Sequence, residues 1–329
     1  MKALVTGGTG FIGAHVVRVL VKKGYEVRAL VRPTSRTENL QGLPIQTVFG
    51  DLRDKDSLNK ALQGCDVLYH VAADYRLWSK NPQELYESNV GGTENILQSA
   101  LEEKVQKVVY TSSVGTMGNI GDGTPGTENT PVTLEDMVGH YKRSKFMAEQ
   151  KAVEYSKKGL FVTIVNPTAP VGSHDIKPTP TGKTILDFLN HQIPAYIETG
   201  LNLIDVEDVA EGHWLAEQKG KSGEKYILGN KNMSLKEILD ELSKITGISS
   251  PKIKIPYPIA LTAAYFDRAI SGWILQREPR IPFEGVKMAR KKMFFDSSKA
   301  IRELGLPQTP VNTALEKAVN WFKENGYVK

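Results

Sequence analysis

Within its first twenty residues the chain commits itself to a strand, a glycine turn and a helix. The apolar run Lys2 to Val5 enters Thr6-Gly7-Gly8-Thr9-Gly10-Phe11-Ile12-Gly13, and the apolar-periodic stretch Ala14 to Leu20 follows at once. Glycines at 7, 10 and 13 put three positions without a Cβ between strand and helix. A pyrophosphate needs that arrangement: free backbone N–H groups at a helix N-terminus, no side chain in the way, and a third glycine where helix packs on strand. Gly7, Thr9, Gly10, Phe11, Ile12 and Gly13 are therefore candidate dinucleotide contacts. A glycine pattern alone is weak; its place between a strand and a helix at the start of an alternating chain gives it meaning.

The alternation continues. Glu26 to Val31, Ile45 to Phe49, Val67 to Val71, Lys107 to Thr111 and Phe161 to Val165 are short apolar runs bounded by turn residues, as buried parallel strands are. Between them, Ile12 to Lys23, Lys55 to Gln63, Gln83 to Glu103 and Lys142 to Lys158 carry helical periodicity. The expected fold is an α/β, Rossmann-type doubly wound parallel sheet with a smaller, loop-rich C-terminal substrate domain. Prolines 167, 170, 178, 180 and 194 mark the change of texture, whereas Lys225 to Leu228 reads as a strand returning to the sheet. The expected division is interleaved: residues 1–166 and 203–229 for the dinucleotide, 167–202 and 230–329 for the substrate. Leu235 to Thr246 and Val311 to Glu324 read as further helices.

Composition narrows the function classes. A net charge of +5 on 329 residues is far from the profile of a dedicated nucleic-acid binder. The single cysteine, Cys65, excludes an intrachain disulfide and a cysteine zinc cluster, and the six histidines show no metal spacing. With no signal-peptide pattern and no run of about 18 apolar residues, a cytoplasmic enzyme without a metal is expected.

At the tip of the second strand, where a loop reading the ribose 2′-hydroxyl of NAD places an acid, the chain has Arg32, with Arg36 close behind. A guanidinium matches a 2′-phosphate, so NADP(H) is expected over NAD(H). Asp51 and Leu52 end the third strand near an adenine edge, and Val71-Ala72-Ala73 end the fourth with side chains small enough for a cofactor to approach the backbone. Of the 12 tyrosines, Tyr141 alone opens a Tyr-x-x-x-Lys pattern, with Lys145. Four residues apart on a helix share a face; the ammonium is expected beside the phenol, favouring phenolate and making Tyr141 a general acid and base. Thr111-Ser112-Ser113 ends the fifth strand, where Ser113 is placed to hydrogen-bond a substrate oxygen. Asn89 is expected to hold a water or a backbone carbonyl in the proton path, or to cap a helix.

Together, Thr6 to Gly13, Arg32, Asp51-Leu52, Ser113 and Tyr141 to Lys145 resemble the extended short-chain dehydrogenase/reductase superfamily, as do Asn166-Pro167-Thr168 and Leu203 to Ala210. Within it, the strings Val71 to Trp78, His140 to Phe146, Asp175 to Gly182 and Met288 to Phe295 are most similar to the hopanoid-associated sugar epimerase group, itself similar to dihydroflavonol 4-reductases. The resemblance implies a catalytic trio of Ser113, Tyr141 and Lys145, Lys145 also holding the nicotinamide ribose, and Asn166-Pro167 with Thr168 bordering the nicotinamide. It also implies an enzyme that moves a hydride between nicotinamide and a carbonyl or secondary alcohol, or a sugar-nucleotide epimerase that retains NAD with no net redox. Two departures weigh against the epimerase: Met117-Gly118 stands where such enzymes carry Tyr-Gly, and Arg32 where they carry an acid.

Two segments are expected to specify the substrate. Asp74, Tyr75, Arg76 and Trp78 follow the fourth strand and, with His174 in the loop after Pro167, make a candidate lid. Ile259 to Leu275 is apolar but interrupted by Asp267 and Arg268, and a basic run, Arg290-Lys291-Lys292, follows. It reads as a core or dimer helix, or as a helix resting on a membrane surface to meet a triterpenoid-type or lipid-linked substrate. A homodimer is expected from helices of the 83–103 and 142–158 type.

Overall fold

The computed structural model of the chain describes residues 1–274 and 283–328. Its strands are, in chain order, β1 (Lys2–Thr6), β2 (Glu26–Val31), β3 (Gln46–Phe49), β4 (Val67–His70), β5 (Lys107–Thr111), β6 (Val162–Pro167), β7 (Ala169–Val171), β8 (Ala195–Ile197), β9 (Gly200–Asp205), β10 (Lys225–Leu228), β11 (Lys231–Ser234) and β12 (Ile253–Ile255). The helices are α1 (Phe11–Lys22), α2 (Lys55–Leu62), α3 (Gln83–Tyr86), α4 (Gly92–Glu102), α5 (Gly139–Lys157), α6 (Pro180–Leu189), α7 (Val206–Lys219), α8 (Leu235–Thr246), α9 (Tyr257–Asp267), α10 (Phe283–Met288), α11 (Ser298–Leu304) and α12 (Val311–Glu324).

Seven strands form one sheet in the order β3-β2-β1-β4-β5-β6-β10, and every pairing in it is parallel. This is the Rossmann-type doubly wound sheet, with its order reversing between β1 and β4. The central strands read as unbroken apolar runs because both faces are covered. On one side Val5, Tyr69 and Val109 pack with Val16, Val17, Leu20, Val209 and Ala216 from α1 and α7. On the other, Leu4, Leu68 and Val108 pack with Leu58, Ile96, Ala148 and Ala152 from α2, α4 and α5. A third cluster lies in the C-terminal part, where Val171, Phe188, Leu239, Leu242, Leu315 and Phe322 meet around a small sheet of order β11-β9-β7.

Three elements differ from the sequence reading. The helix expected over Gln83 to Glu103 is interrupted by a π-helical turn, Glu87–Gly91, between α3 and α4. The apolar stretch Ile259 to Leu275 is α9 followed by a second π-helical turn, Arg268–Ile274, with Leu275 outside the described residues. Residues 203–205 pair with β7 and β11 rather than with the large sheet, so the chain returns to the seven-stranded sheet through α7 and β10. Among the described residues no helix is long and apolar enough to cross a membrane.

Candidate active site

The glycine turn joins β1 to α1 at the point where the sheet order reverses. Gly7 sits at φ +70, and a Cβ there would lie 2.6 Å from the backbone nitrogen of Ala72, so the loop after β1 and the loop after β4 touch through bare backbone. A Cβ on Gly13 would fall 2.1 Å from the Gly7 carbonyl oxygen, which is why helix and strand approach so closely here. No side chain caps α1, whose N-cap is Gly10, and the first N–H groups of a helix have no partner within it. This cradle, which any Cβ would fill, fits a dinucleotide pyrophosphate. Around it, Thr9 accepts a hydrogen bond from Asn39 through its carbonyl (3.4 Å), and Ala72 donates its N–H to Thr6 Oγ1 (3.2 Å). Val71 continues β4 by donating to the Thr6 carbonyl (3.3 Å). Phe11 and Ile12 form the first turn of α1.

The strand tips differ from one another in what their charges do. Arg36 pairs with Glu38 (3.0 Å), and Arg53 grips both oxygens of Asp51 at 2.8 Å, holding that carboxyl down at about 2. The Asp51 side chain expected to face an adenine is thus engaged by its own loop. The Arg32 guanidinium, exposed at the end of β2, has no hydrogen-bond or ion-pair partner among the described residues. Leu52 packs against Gly92, where a Cβ would come within 2.7 Å of it.

Tyr141, Ser113 and Lys145 come together at the ends of β5 and α5. Burial pushes the Tyr141 phenol up, and the nearby Ser113 hydroxyl opposes that rise. Ser113 Oγ accepts from the Gly115 N–H at 3.0 Å. Lys145 finds its hydrogen-bond partners on β5. Its Nζ donates to Tyr110 Oη (3.2 Å) and to the Thr111 carbonyl (2.8 Å) and lies 4.9 Å from the centre of the Tyr110 ring. The side chain therefore reaches the end of β5. Burial lowers its pKa to about 8, with Glu149 pulling upward. The Thr111 hydroxyl meets His213 Nε2 at 2.9 Å.

Asn89 sits in the π-helical turn and caps nothing. Its Oδ1 accepts the Asp74 N–H (2.7 Å), while Nδ2 donates to the Asp74 carbonyl and to Ser144 Oγ, both at 2.9 Å. Ser144 in turn donates to the Tyr141 carbonyl (2.9 Å). The extra residue that the π turn inserts into the helical ladder thus delivers an amide that ties the loop after β4 to the helix bearing Tyr141.

Glu149 was not anticipated. It lies one turn beyond Lys145, fully buried, with Oε2 accepting from Thr116 Oγ1 (2.7 Å) and Asn166 Nδ2 (2.8 Å) and Oε1 paired with Lys225. Asn166 Nδ2 gives its second proton to the Ser113 carbonyl (3.1 Å), and the Thr116 hydroxyl, with one proton to give, sits between that carbonyl (2.8 Å) and the carboxylate. One carboxylate thereby clamps the Ser113 loop to the helix carrying Tyr141 and Lys145. The only signal in the sequence was its spacing, four after Lys145 on the same face. Pro167 ends β6, and Thr168 turns its hydroxyl to the Leu228 carbonyl (3.2 Å).

On the substrate side Arg76 grips Asp74 (2.6 Å) and Glu84 (2.9 Å). Arg76, Trp78, Lys80, His140, Arg268 and Glu284 border a cleft of about 430 Å³, which His140, the residue before Tyr141, brings to the start of α5. Tyr75 stands 5.9 Å under the Lys177 ammonium, so the loop after β4 meets the loop after β7. In that second loop Asp175 is buried, with Oδ2 accepting from Thr179 N (2.9 Å) and Oγ1 (2.8 Å); burial lifts its pKa to about 6. His174, expected in the lid, turns its ring instead toward His15 (5.6 Å) and Trp321 (6.1 Å), with its backbone in the left-handed region at φ 67.

A doubly wound sheet with a glycine cradle at its switch point and a Ser-Tyr-Lys cluster beside it defines an NAD(P)-dependent enzyme of the extended short-chain dehydrogenase/reductase type. Residues 3–229 match the NAD-dependent epimerase/dehydratase family, and the chain belongs to it. It is 52% identical over 329 residues (99% of this chain, 95% of the other) to "Putative dihydroflavonol 4-reductase" of Synechocystis sp.. It is 36% identical over 332 residues, covering both chains fully, to sterol demethylase protein B of Methylococcus capsulatus. The crystal structure of gox2253 superposes with a TM-score of 0.90 at 45% identity, over 100% of this chain and 99% of that one.

Proposed function

We propose that this protein is an NADPH-preferring reductase that interconverts a ketone and a secondary alcohol on an apolar small molecule. The observation that carries the reading is the Arg32 guanidinium at the tip of β2, without a hydrogen-bond or ion-pair partner among the described residues, at the place where a NADP-binding loop would meet the 2′-phosphate and a NAD-selective loop would present a carboxylate. The names of its reductase-type and sterol-related relatives support the choice of substrate class. In this reading residues 1–166 and 203–229 serve the dinucleotide, the rest the substrate.

The bound nicotinamide supplies the hydride. Tyr141 gives its phenolic proton to the substrate oxygen, and the Ser113 hydroxyl donates a hydrogen bond to that same oxygen as its charge grows. Lys145, held by Tyr110 and Thr111, keeps a positive charge one turn from the phenolate left behind and reaches toward the ribose. Asn89 and Glu149 position Asp74 and Ser113 and do not touch the reacting atoms. The alternative, a sugar-nucleotide epimerase, needs cations for a diphosphate. Of the cations bordering the cleft, Arg76 and Arg268 already hold Asp74, Glu84 and Glu284, which leaves Lys80 for such a group.

The test is to denature freshly purified protein, identify any dinucleotide released, and titrate NADPH and NADH against wild type and Arg32→Asp. NADPH affinity should fall about 10- to 100-fold in the variant, from the loss of a charge-assisted contact, with NADH affinity nearly unchanged. Equal losses for both nucleotides remove Arg32 from the 2′-phosphate site; near-stoichiometric retained NAD gives the chain to the epimerases.

A further inference from the structure

Helix α9 presents its apolar side to solvent. Of its eleven residues only Ala264 is buried, and Ile259, Phe266 and Ile270 are 61%, 60% and 51% exposed. With the exposed Ala263, they recur at spacings of four, three and four, a stripe that runs along α9 into the π-helical turn after it, where Ile270 lies. Tyr265, also 51% exposed, packs edge-on against Phe266 at 6.1 Å and against Phe283 at 6.3 Å. Ile253, 66% exposed, lies just upstream on β12. Large apolar side chains left in water this densely mark a contact surface.

The sequence around the stripe is predominantly basic, although Lys254 and Lys292 pair with Glu198 and Arg268 with Glu284. Nine of the chain's 42 Lys and Arg but three of its 37 Asp and Glu fall between Lys252 and Lys292, a net of +6 against +5 for the whole chain. The rest of the molecule is thus close to neutral. Lys287 lies 5.0 Å from the Phe283 ring, and Arg268 also 5.0 Å, so cations flank the aromatic cluster directly. Arg268 and Glu284 at this end of the helix also border the cleft that His140 lines.

We propose that the exposed face of α9 docks the protein on an anionic lipid surface, its apolar stripe entering the headgroup boundary and its surrounding cations meeting the phosphates, so that the cleft opens beside the membrane. Apolar insertion combined with basic flanks is the physical recipe for reversible interfacial binding. A second copy is the poorer occupant: a two-fold contact through this face would set the same positive charge against itself. The docking stands independently of the cofactor preference and of the direction of the reaction.

The experiment is co-sedimentation of the full-length protein with vesicles of phosphatidylglycerol and phosphatidylcholine, and with phosphatidylcholine alone, at low and high salt. Wild type should pellet with the anionic vesicles and be released by salt. The double substitution Ile259→Asp with Phe266→Asp should weaken pelleting about tenfold or more. NADPH binding, which neither residue touches, should be retained as the check on folding. Should that pair fail the check, Lys252→Glu with Arg290→Glu must produce the same loss. Wild type remaining in the supernatant with anionic vesicles overturns the proposal, as does undiminished pelleting of the variants. So does conversion of a dimer to a monomer by the substitutions in analytical ultracentrifugation, which would hand the face to a second copy.

Discussion

Helices α5 and α9 break the usual rule of amphipathic helices in opposite directions. On α5 the buried side carries Ser144, Lys145 and Glu149, while Met147 faces water; on α9 the apolar residues face water and one alanine is buried. In α5 every buried polar group has its partner inside the chain: Tyr110 and Thr111 for Lys145, Thr116, Asn166 and Lys225 for Glu149. The α9 stripe stays exposed among the described residues, and in the docking proposed above its matching surface is a membrane. An inverted pattern marks work other than folding, and the whereabouts of the partner separates a reaction centre from a docking face.

If α5 is organised for chemistry, Tyr141→Phe should lower turnover by about 10²- to 10⁴-fold, with NADPH affinity by fluorescence titration unchanged. Turnover near the wild-type level would reduce the buried face of α5 to a structural device. Glu149→Ala should cost about 3–5 kcal/mol in urea unfolding, because it leaves Lys225 and the Asn166 amide without their acceptor, and Glu149→Gln less. Asp175 is an intermediate case, a buried carboxyl held at about 6 from an ordinary 3.8. Between those values the folded state binds a proton that the unfolded chain has released, so stability should fall as pH rises across this window, by roughly 2 kcal/mol. Asp175→Asn should flatten that stretch of the Tm-against-pH curve; an unchanged slope assigns it to another group. The smallest effect belongs to α9: Phe266→Ser should alter unfolding stability by no more than about 0.5 kcal/mol. A larger loss would mean that the stripe is packed within the chain after all.

The parts of the fold written in local periodicity were legible. Lys225–Leu228, Leu235–Thr246 and Val311–Glu324 form at the expected residues, because each depends on neighbours a few positions away. The π-helical turn at Asn89 was not, since its cause is a hydrogen-bonding demand from Asp74 and Ser144, distant in sequence. The glycine cradle was readable because backbone contact requires glycine, and Tyr141 with Lys145 because a helix fixes their spacing. Where Lys145 points was not readable: the carbonyl and phenol that draw it come from β5. Glu149 escaped for the same reason, a glutamate in a long helix being expected in water until Lys225 and Asn166 are brought to it. His174 turned away from the lid because His15 and Trp321, at opposite ends of the chain, form its surroundings.

The edge strand β10 gives this architecture an order of completion. During synthesis Ser113, Tyr141, Lys145 and Glu149 all emerge before Lys225, and between β6 and β10 the chain leaves the large sheet to build β7, β8, α6, β9 and α7. A nascent chain that stops short of β10 already holds the whole reactive cluster, yet its Glu149 is without the cation that neutralises it, and the sheet lacks its last strand. The late segment thus brings the cation for a carboxylate already bonded beside the Ser113 loop, so the charge balance around Ser113, Tyr141 and Lys145 is completed only when β10 docks.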